Sequence, residues 1–422
     1  MTEVLQVAAG LDLHKKFILA TILTLAGNKM QERFERTQVG LLKLKDWIIN
    51  NHVQAIGCES TSDYWVVVHD LLDKYIPVIV GNARDIKSLS HKKTDKVDSE
   101  FIALLTLKGM IRPSRVMPRS HRQFRSQSRL RHRLVQKRTD FKNEIHHILD
   151  SELFRLSDAL KDVFGKTGKI VLNGIINGMP VEEILKCIPT NVKYKERQLQ
   201  EIMEQTLSID AILRLKVCMN ALRCLDEQID LITRSAVDYA YKNYSEEMKI
   251  LISVPGIGEI GAMTLIAEIG NVNDFSSGDK LASWLGIVPR VYQSADKLRT
   301  SSITKRGSEH ARWILVQIAH AASRARNNAL KPFFIRKKAI IGAGKAIIAL
   351  ARKIVVIIWH LLTNRESYDD GLYVKSRQPL HINVKVPSVI SMEEVIQLLK
   401  DASVIHRNQL KKKAGSFVLL FD

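Results

Sequence analysis

Short apolar runs fill the amino-terminal part of the chain. Val7–Leu13 is one and 17–25 a second, while 30–37 alternates apolar with polar positions, a pattern that predicts three strands joined by tight connections. Leu41, Leu42, Leu44, Trp47 and Ile48 then recur at helical spacing. Residues 53–58 read as a buried strand, Tyr64–Leu72 as a helix and 76–80 as a further strand. A helix opens near Asp95, with Phe101, Ile102, Leu104 and Leu105 as its apolar positions. Beyond it the helical period takes over. Leu222, Leu225, Ile229, Ile232, Ala236 and Tyr239 keep a three-four spacing that fits an intramolecular helix pair and a self-associating coiled coil equally. Ser308 is placed to cap a helix over 309–326, and 339–362 reads as one apolar helix, followed by a polar connection and a helix over 392–402.

Three strands followed by alternating helices and strands is the order of a mixed α/β sheet of the ribonuclease H type, not of a purely parallel dinucleotide fold. A chain of 422 residues exceeds what one core sustains. The fold class predicted is therefore α/β plus α: a mixed-sheet domain over 1–115, a basic helical or coiled-coil linker over 116–248, a mainly helical domain over 249–335 and a helical extension over 336–422.

Charge sharpens this. Lys and Arg number 64 against 44 Asp and Glu, a formal charge of +20, which fits a polyanionic partner such as DNA or RNA. Cys58, Cys187, Cys218 and Cys224 have no paired spacing, so neither a zinc site nor a disulfide framework is expected, and they read as idle thiols of a reducing, cytoplasmic compartment. Charged residues interrupt both long apolar stretches, so neither a signal peptide nor a membrane span is expected.

Candidate chemistry begins with four carboxylates. Asp12 closes the first strand and Glu59 follows the strand that ends at Cys58. Asp95 and Asp98, three apart, share one face of a helix. Singly, each has an ordinary explanation: Asp12 starts a turn, Glu59 faces solvent, Asp95 caps its helix. Gathered at one sheet edge they repel one another, and oxygen donors so collected suit Mg²⁺ or Mn²⁺. Two such ions about 4 Å apart clamp the attacking and leaving oxygens of a phosphoryl transfer. Glu100, five residues from Asp95, points elsewhere and is excluded.

A run of cations over 112–142 includes Arg122, Arg125, Arg129 and Arg133 at three- and four-residue spacing, a positive stripe suited to phosphates and opposed locally only by Asp140. Val254-Pro-Gly-Ile-Gly258 resembles a helix-hairpin-helix turn whose glycines, Gly256 and Gly258, let backbone N–H groups approach DNA phosphate; a plain interhelical turn has the same sequence. The glycines around Lys169 and Lys345 lack the spacing of a nucleotide-hydrolysing loop, and the histidines lack ligand spacing. Ser294 lies in a turn-rich segment crowded by Arg290, Lys297, Arg299, Lys305, Arg306 and Arg312, where a phosphate would meet a nucleophile and several cations.

Together these motifs resemble the IS110-type transposases, serine recombinases of the Asp-Glu-Asp-Asp class, over nearly the whole chain. The matches are Gly10-Leu-Asp-Leu-His14, Gly57-Cys-Glu-Ser-Thr61, Lys93-Thr-Asp-Lys-Val-Asp98, Pro255-Gly-Ile-Gly258, Leu285-Gly-Ile-Val-Pro289, Gln293-Ser294 and Ile303-Thr-Lys-Arg-Gly307, with Arg312. The resemblance implies a RuvC-like domain binding Mg²⁺ through Asp12, Glu59, Asp95 and Asp98, a helical linker used in assembly, and a transposase domain with Ser294 as nucleophile. It further implies a homo-oligomer, dimer or tetramer, acting on donor and target DNA under the direction of a structured guide (bridge) RNA. One departure stands out: Ala295 follows the serine where the family has glycine, and a backbone needing positive φ tolerates alanine poorly.

The expected mechanism has the four carboxylates hold a metal ion that activates Ser294 and the scissile phosphate, with Arg290, Lys297, Arg299 and Lys305 offsetting transition-state charge. A phosphoserine conserves the energy of the broken bond, so rejoining needs no ATP. Two rivals differ in class: a metal-dependent nuclease of the Holliday-junction type, in which water attacks and Ser294 is incidental, and a non-enzymatic nucleic-acid scaffold.

Overall fold

The computed structural model describes residues 4–87, 95–190, 195–294, 297–305, 307–326, 328–371, 410–413 and 416–419, with backbone alone for 87, 95–97, 291–294, 297–301, 410–413 and 416–419. Two compact units divide the chain, Met1–Arg122 and Gln123–Asp422.

In the first unit β1 (Val7–Leu13), β2 (Phe17–Thr24) and β3 (Lys29–Glu35) form an antiparallel meander. Helix α1 (Gln38–Asn50) leads to β4 (Ala55–Glu59), α2 (Tyr64–Leu72) to β5 (Val78–Gly81), and α3 (Ala83–Lys87) and α4 (Asp95–Leu107) follow. The sheet order is β3-β2-β1-β4-β5, with β1, β4 and β5 parallel, the mixed sheet that the hydrophobic pattern predicts.

Both faces of this sheet are covered, which explains why β1 and β2 read as near-continuous apolar runs. On one face Ala9, Leu11, Ile18 and Ile22 pack against Leu44 and Ile48 of α1 and Val68 and Leu72 of α2. Each fully buried Leu or Ile there contributes roughly 1.5–3 kcal/mol. The opposite face is crossed by α4 at very close range. A Cβ on Gly10 would lie 2.1 Å from the Ala103 nitrogen and 2.2 Å from the Ser99 carbonyl oxygen, and one on Gly57 would lie 2.0 Å from Thr106 Oγ1. The buried hydroxyls of Thr21 and Ser99, 2.8 Å apart, tie the helix to β2.

The second unit begins within α5 (Arg119–Ser151), and its described residues form helices apart from two hairpins. Helices α6 (Leu156–Ala159), α7 (Lys166–Ile176), α8 (Val181–Lys186) and α9 (Glu196–Met203) close one core with the far half of α5 and the near half of α10 (Ile209–Asn243). The contacts Arg131–Thr233, Arg138–Asp226 and Arg214–Glu144 run in opposite directions along α5 and α10, so the two form an antiparallel pair. Buried Leu215, Leu222, Ile229 and Ala236 line its seam at seven-residue spacing. The intramolecular reading of that seam is therefore realised.

A second core is built by α11 (Ser245–Ser253), α12 (Glu259–Ile269), α13 (Gly278–Trp284), α14 (Glu309–Arg324), α15 (Leu330–Ile341) and α16 (Ala343–Asn364), and the hairpin of β6 (Pro289–Ser294) and β7 (Lys297–Ile303) lies between α13 and α14 in the chain. The apolar stretch expected as one helix over 339–362 is broken at Gly342, whose φ of +80° takes the chain out of helical geometry between α15 and α16. Helix α16 is long and apolar enough to cross a membrane by length and hydropathy, but Leu350, Ile354, Ile358 and Leu361 lie in the core. A last hairpin joins β8 (Leu410–Lys413), which takes up the lysine run, and β9 (Ser416–Leu419); the helix expected over 392–402 lies outside the described residues.

Candidate active site

Parallel pairing of β1 and β4 sets Gly10 opposite Gly57 and Leu11 opposite Cys58. One step further along both strands come Asp12 and Glu59. Since Leu11 and Cys58 are buried toward α1 and α2, alternation gives the two carboxylates to the face that α4 crosses. Asp98 stands in the first turn of α4, next to the Ser99 carbonyl that meets Gly10, and Asp95 opens the helix. The close approach of α4 to two glycines thus brings the beginning of that helix to the sheet edge that ends in Asp12 and Glu59. Glu100 is ion-paired with Lys29 of β3, in keeping with its exclusion.

Asp12 Oδ2 lies 2.9 Å from His14 Nε2, and the imidazole stacks on Phe17 with centroids 4.3 Å apart. Glu59 accepts a 3.0 Å hydrogen bond from Thr61. Among the described residues no three His, Cys, Asp or Glu side chains stand close enough to share an ion; the Asp95 side chain is outside that set. The donor chemistry fits a hard divalent cation, all of it carboxylate oxygen. Cys58 is no ligand: burial, and then the Glu59 charge, push its thiol up to about 12. His14 enters the sequence reading only as the end of a motif and without a role, although its place two residues beyond Asp12 is the spacing that returns to one face of an extended segment.

Ser294 ends a strand rather than lying in a turn-rich loop. Val291, Tyr292, Thr300 and Ile303, β-branched or aromatic, favour a ladder despite the surrounding proline, serines and arginines. The register pairs Ser294 with Lys297 and Tyr292 with Arg299; Ala295 and Asp296 lie outside the described residues. Arg306 also lies outside them.

The root of this hairpin is tied at several points. Thr304 N–H donates to Val288 O at 2.9 Å and Lys305 N–H to Gly286 O at 3.1 Å, with Lys305 held at a φ of 54°. Exposed Arg290 donates to Thr304 O at 3.4 Å, and Arg312 reaches Leu285 O at 3.3 Å and Gly307 O at 3.0 Å. Gly307 has φ +83°, and a Cβ there would lie 2.0 Å from Trp284 O. Ser308 caps α14, accepting from Ala311 N–H at 3.1 Å, as expected.

The same hydroxyl donates to Glu268 at 2.7 Å, and Glu268 is fully buried. Arg125 Nε is 3.0 Å from Glu268 Oε2, and Arg129 binds both carboxylate oxygens at 2.8 and 3.0 Å. Burial alone pushes the Glu268 carboxyl up, but Arg129, Arg125 and Ser308 together outweigh it and hold it at about 2. Arg122 is paired with Asp70 and donates to Met117 O at 2.7 Å, and Arg138 lies 3.1 Å from Asp226. The reading of the 112–142 run as opposed only by Asp140 is corrected accordingly, because carboxylates distant in sequence pair with Arg122, Arg125, Arg129 and Arg138. Arg133 is exposed. The sequence signal for Glu268 was a single carboxylate in an otherwise apolar helix, Gly261-Ala-Met-Thr-Leu-Ile-Ala-Glu-Ile269.

The two glycines of the turn between α11 and α12 differ. A Cβ on Gly256, φ +92°, would lie 2.6 Å from the Ala322 nitrogen and 2.8 Å from Ile318 O, so this glycine seats the turn on α14. Gly258 is exposed, and a Cβ there would meet nothing within 4 Å.

Comparison with known proteins gives this arrangement a context. A transposase model of the DEDD type of IS110 matches residues 9–153, and the model described as Transposase IS116/IS110/IS902 family matches 248–334. The transposase for insertion sequence element IS1111A of Coxiella burnetii is 25% identical over 301 residues, 70% of this chain and 74% of that protein. A probable family 20 transposase of Pseudomonas aeruginosa is 26% identical over 287 residues, 66% and 75% of the two chains. A pilin gene-inverting protein of Moraxella lacunata is 26% identical over 181 residues, 42% and 55% of the two chains. The DEDD-type domain implies a divalent metal ion, and transposition implies binding to DNA. With one family model on the carboxylate-bearing unit and the other on the Ser294 hairpin, the chain belongs to the IS110 family of insertion-sequence transposases.

Proposed function

We propose that this transposase cuts and rejoins DNA through a phosphoserine at Ser294, working with a divalent ion, Mg²⁺ or Mn²⁺, held by Asp12, Glu59, Asp95 and Asp98. The observation that carries the reading is the hairpin: Ser294 ends a strand, paired with Lys297, on a root braced by Arg290, Arg312 and the shaped backbone at Lys305 and Gly307. A nucleophile fixed on a rigid element meets its target in a constant geometry.

Ser294 Oγ attacks phosphorus, the P–O bond to the departing strand breaks, and the released oxygen takes up a proton. A hydroxyl of another strand end then attacks the phosphoserine, restoring the serine and resealing the backbone. Lys297, Arg299, Lys305, Arg306 and Arg290 offset the charge that grows on the phosphate oxygens. A bound divalent ion would polarise the scissile phosphate and favour the serine alkoxide. Asp12 and Glu59, at neighbouring strand ends, and Asp95 and Asp98, on the helix that crosses them, are the groups to hold it. Inversion of a gene, recorded in the name of the Moraxella relative, needs every cut end resealed, which supports a covalent intermediate over hydrolysis.

The reading extends to Arg133 and Gly258 as DNA contacts, to a homo-oligomer and to direction by a structured guide RNA. Denaturing gels of protein mixed with labelled element-end DNA test its centre. Wild type should give a covalent adduct, Ser294→Ala none, and Asp12→Asn none. Hydrolysed ends from Ser294→Ala would establish the water-attack nuclease instead. Sequencing the nucleic acid that copurifies tests the guide: recovery of one defined RNA is expected.

A further inference from the structure

Residues 328–364, spanning α15 and α16, contain Lys331, Arg336, Lys337, Lys338, Lys345, Arg352 and Lys353 and no Asp or Glu. Ile335, Ile340 and Ile341 are exposed among these cations, at 54%, 76% and 39%. Between the two helices, α13 and the root of the Ser294 hairpin lies a cavity of about 1430 Å³. Its rim carries Lys337, Lys345, Arg352 and Lys353, and its walls are Ile341, Ile348, Ile357 and Phe333. Pro289, Ser302 and Ile303 of the hairpin complete it, so any occupant lies against the root of the hairpin whose far end carries Ser294. Asp279 is the acidic residue among those lining it, and Arg352 already holds it at 3.0 Å. Among the described residues no ion pair reaches Lys337 or Lys345, both exposed.

A cationic rim over an apolar floor has a specific chemical complement. The ligand must carry regularly spaced negative charge and, between charges, flat surface that gains from leaving water. Base-paired DNA fails the second condition because its base faces are stacked inside the duplex, whereas an unpaired strand offers both phosphates and base faces. We propose that this cavity seats unpaired DNA flanking the cleavage point, with phosphates on Lys337 and Lys345 and a base against Ile341, Ile348 and Phe333. The choice of DNA rests on the reading of Ser294 as the point of strand cleavage, through the shared hairpin root. The site would hold the strand at the root of the hairpin that carries the nucleophile while its phosphodiester is open, which limits loss of the cut end.

Fluorescence anisotropy of the full chain with a labelled single-stranded oligodeoxynucleotide, repeated across salt concentrations, tests this. Lys337→Ala/Lys345→Ala should weaken binding about tenfold at low salt and lower the slope of log K against log salt by about 1.4, the sum for two phosphate contacts to a single strand. Ile341→Ser, at a partly exposed position, should erase the preference for single strand over duplex while keeping the salt slope. Thermal unfolding checks that both variants fold. Unchanged affinity and slope in the double variant would overturn the proposal, as would equal losses on single strand and duplex, or tighter binding of single-stranded RNA than of DNA. Sedimentation showing that the double variant changes assembly state with DNA affinity intact would assign the face to protein contact and overturn it too. The adduct assay on Ser294→Ala is independent: under the cleavage reading this variant loses the adduct and keeps anisotropy binding, so failure of either idea shows in its own experiment.

Discussion

Two basic regions of the molecule invite opposite readings from those their sequences suggest. The stretch that begins α5 is dense with arginine and looks built for phosphate, yet Arg122, Arg125, Arg129 and Arg138 are engaged by Asp70, Glu268 and Asp226. Helices α15 and α16 look like an apolar tail with scattered lysines, yet Lys337, Lys345, Arg352 and Lys353 line a cavity whose one acidic residue is already paired. Charge density along a chain says how many cations there are. Whether they are free for a partner is decided by carboxylates that fold in from elsewhere.

The strongest way to break this contrast is Glu268→Ala, which leaves two guanidinium groups around a buried void and should destabilise the second unit by about 3–5 kcal/mol, read from urea unfolding. The same network sets an acid limit. The Glu268 pKa is depressed to about 2 in the folded protein against about 4.3 unfolded, so its contribution is complete above the unfolded value and disappears as pH falls toward 2. Melting temperature followed from pH 5 to pH 2 should fall steeply in wild type and far less in Glu268→Ala. Burial also lowers the pKa of His132 and His310, so stability they confer as neutral rings is already declining below about 6.5. Arg129→Ala removes hydrogen bonds to a charge but leaves Arg125 and Ser308 in place, and a loss of about 1.5–3 kcal/mol is expected in the same titration. Ser308→Ala takes away a helix cap together with one contact to Glu268, at about 1–2 kcal/mol by calorimetry. At the other end of the scale, Lys337→Ala and Lys345→Ala should each change stability by less than about 0.5 kcal/mol. A larger change would mean that these lysines, too, serve the fold.

The mixed sheet was legible because its signal is local: Val7–Leu13 and 17–25 are short apolar runs and 30–37 alternates, and nothing else competes for them. The cap at Ser308 was equally local. What stayed hidden depends on partners far along the chain. Nothing near Arg125 or Arg129 announces Glu268, about 140 residues away, and the break at Gly342 sits inside an apolar run whose composition favours continuing the helix. The strand that ends in Ser294 was obscured by its turn-forming neighbours, although Val291 and Tyr292 already leaned toward extension. For the carboxylates, order along the chain was enough to nominate Asp12, Glu59, Asp95 and Asp98. Their arrangement required the register of β1 with β4 and the seating of α4.

That seating works as a gauge. Where Gly10 meets α4, the clearance between helix and sheet is the thickness of bare backbone, and at Gly57 the place of a side chain is taken by Thr106 Oγ1. A single methyl group at either position would act as a shim, raising the helix and with it the first turn that begins at Asp95, while leaving all four carboxylates in the sequence. Two positions with no side chain, and no chemistry of their own, thereby set the tolerance to which the acidic groups are built.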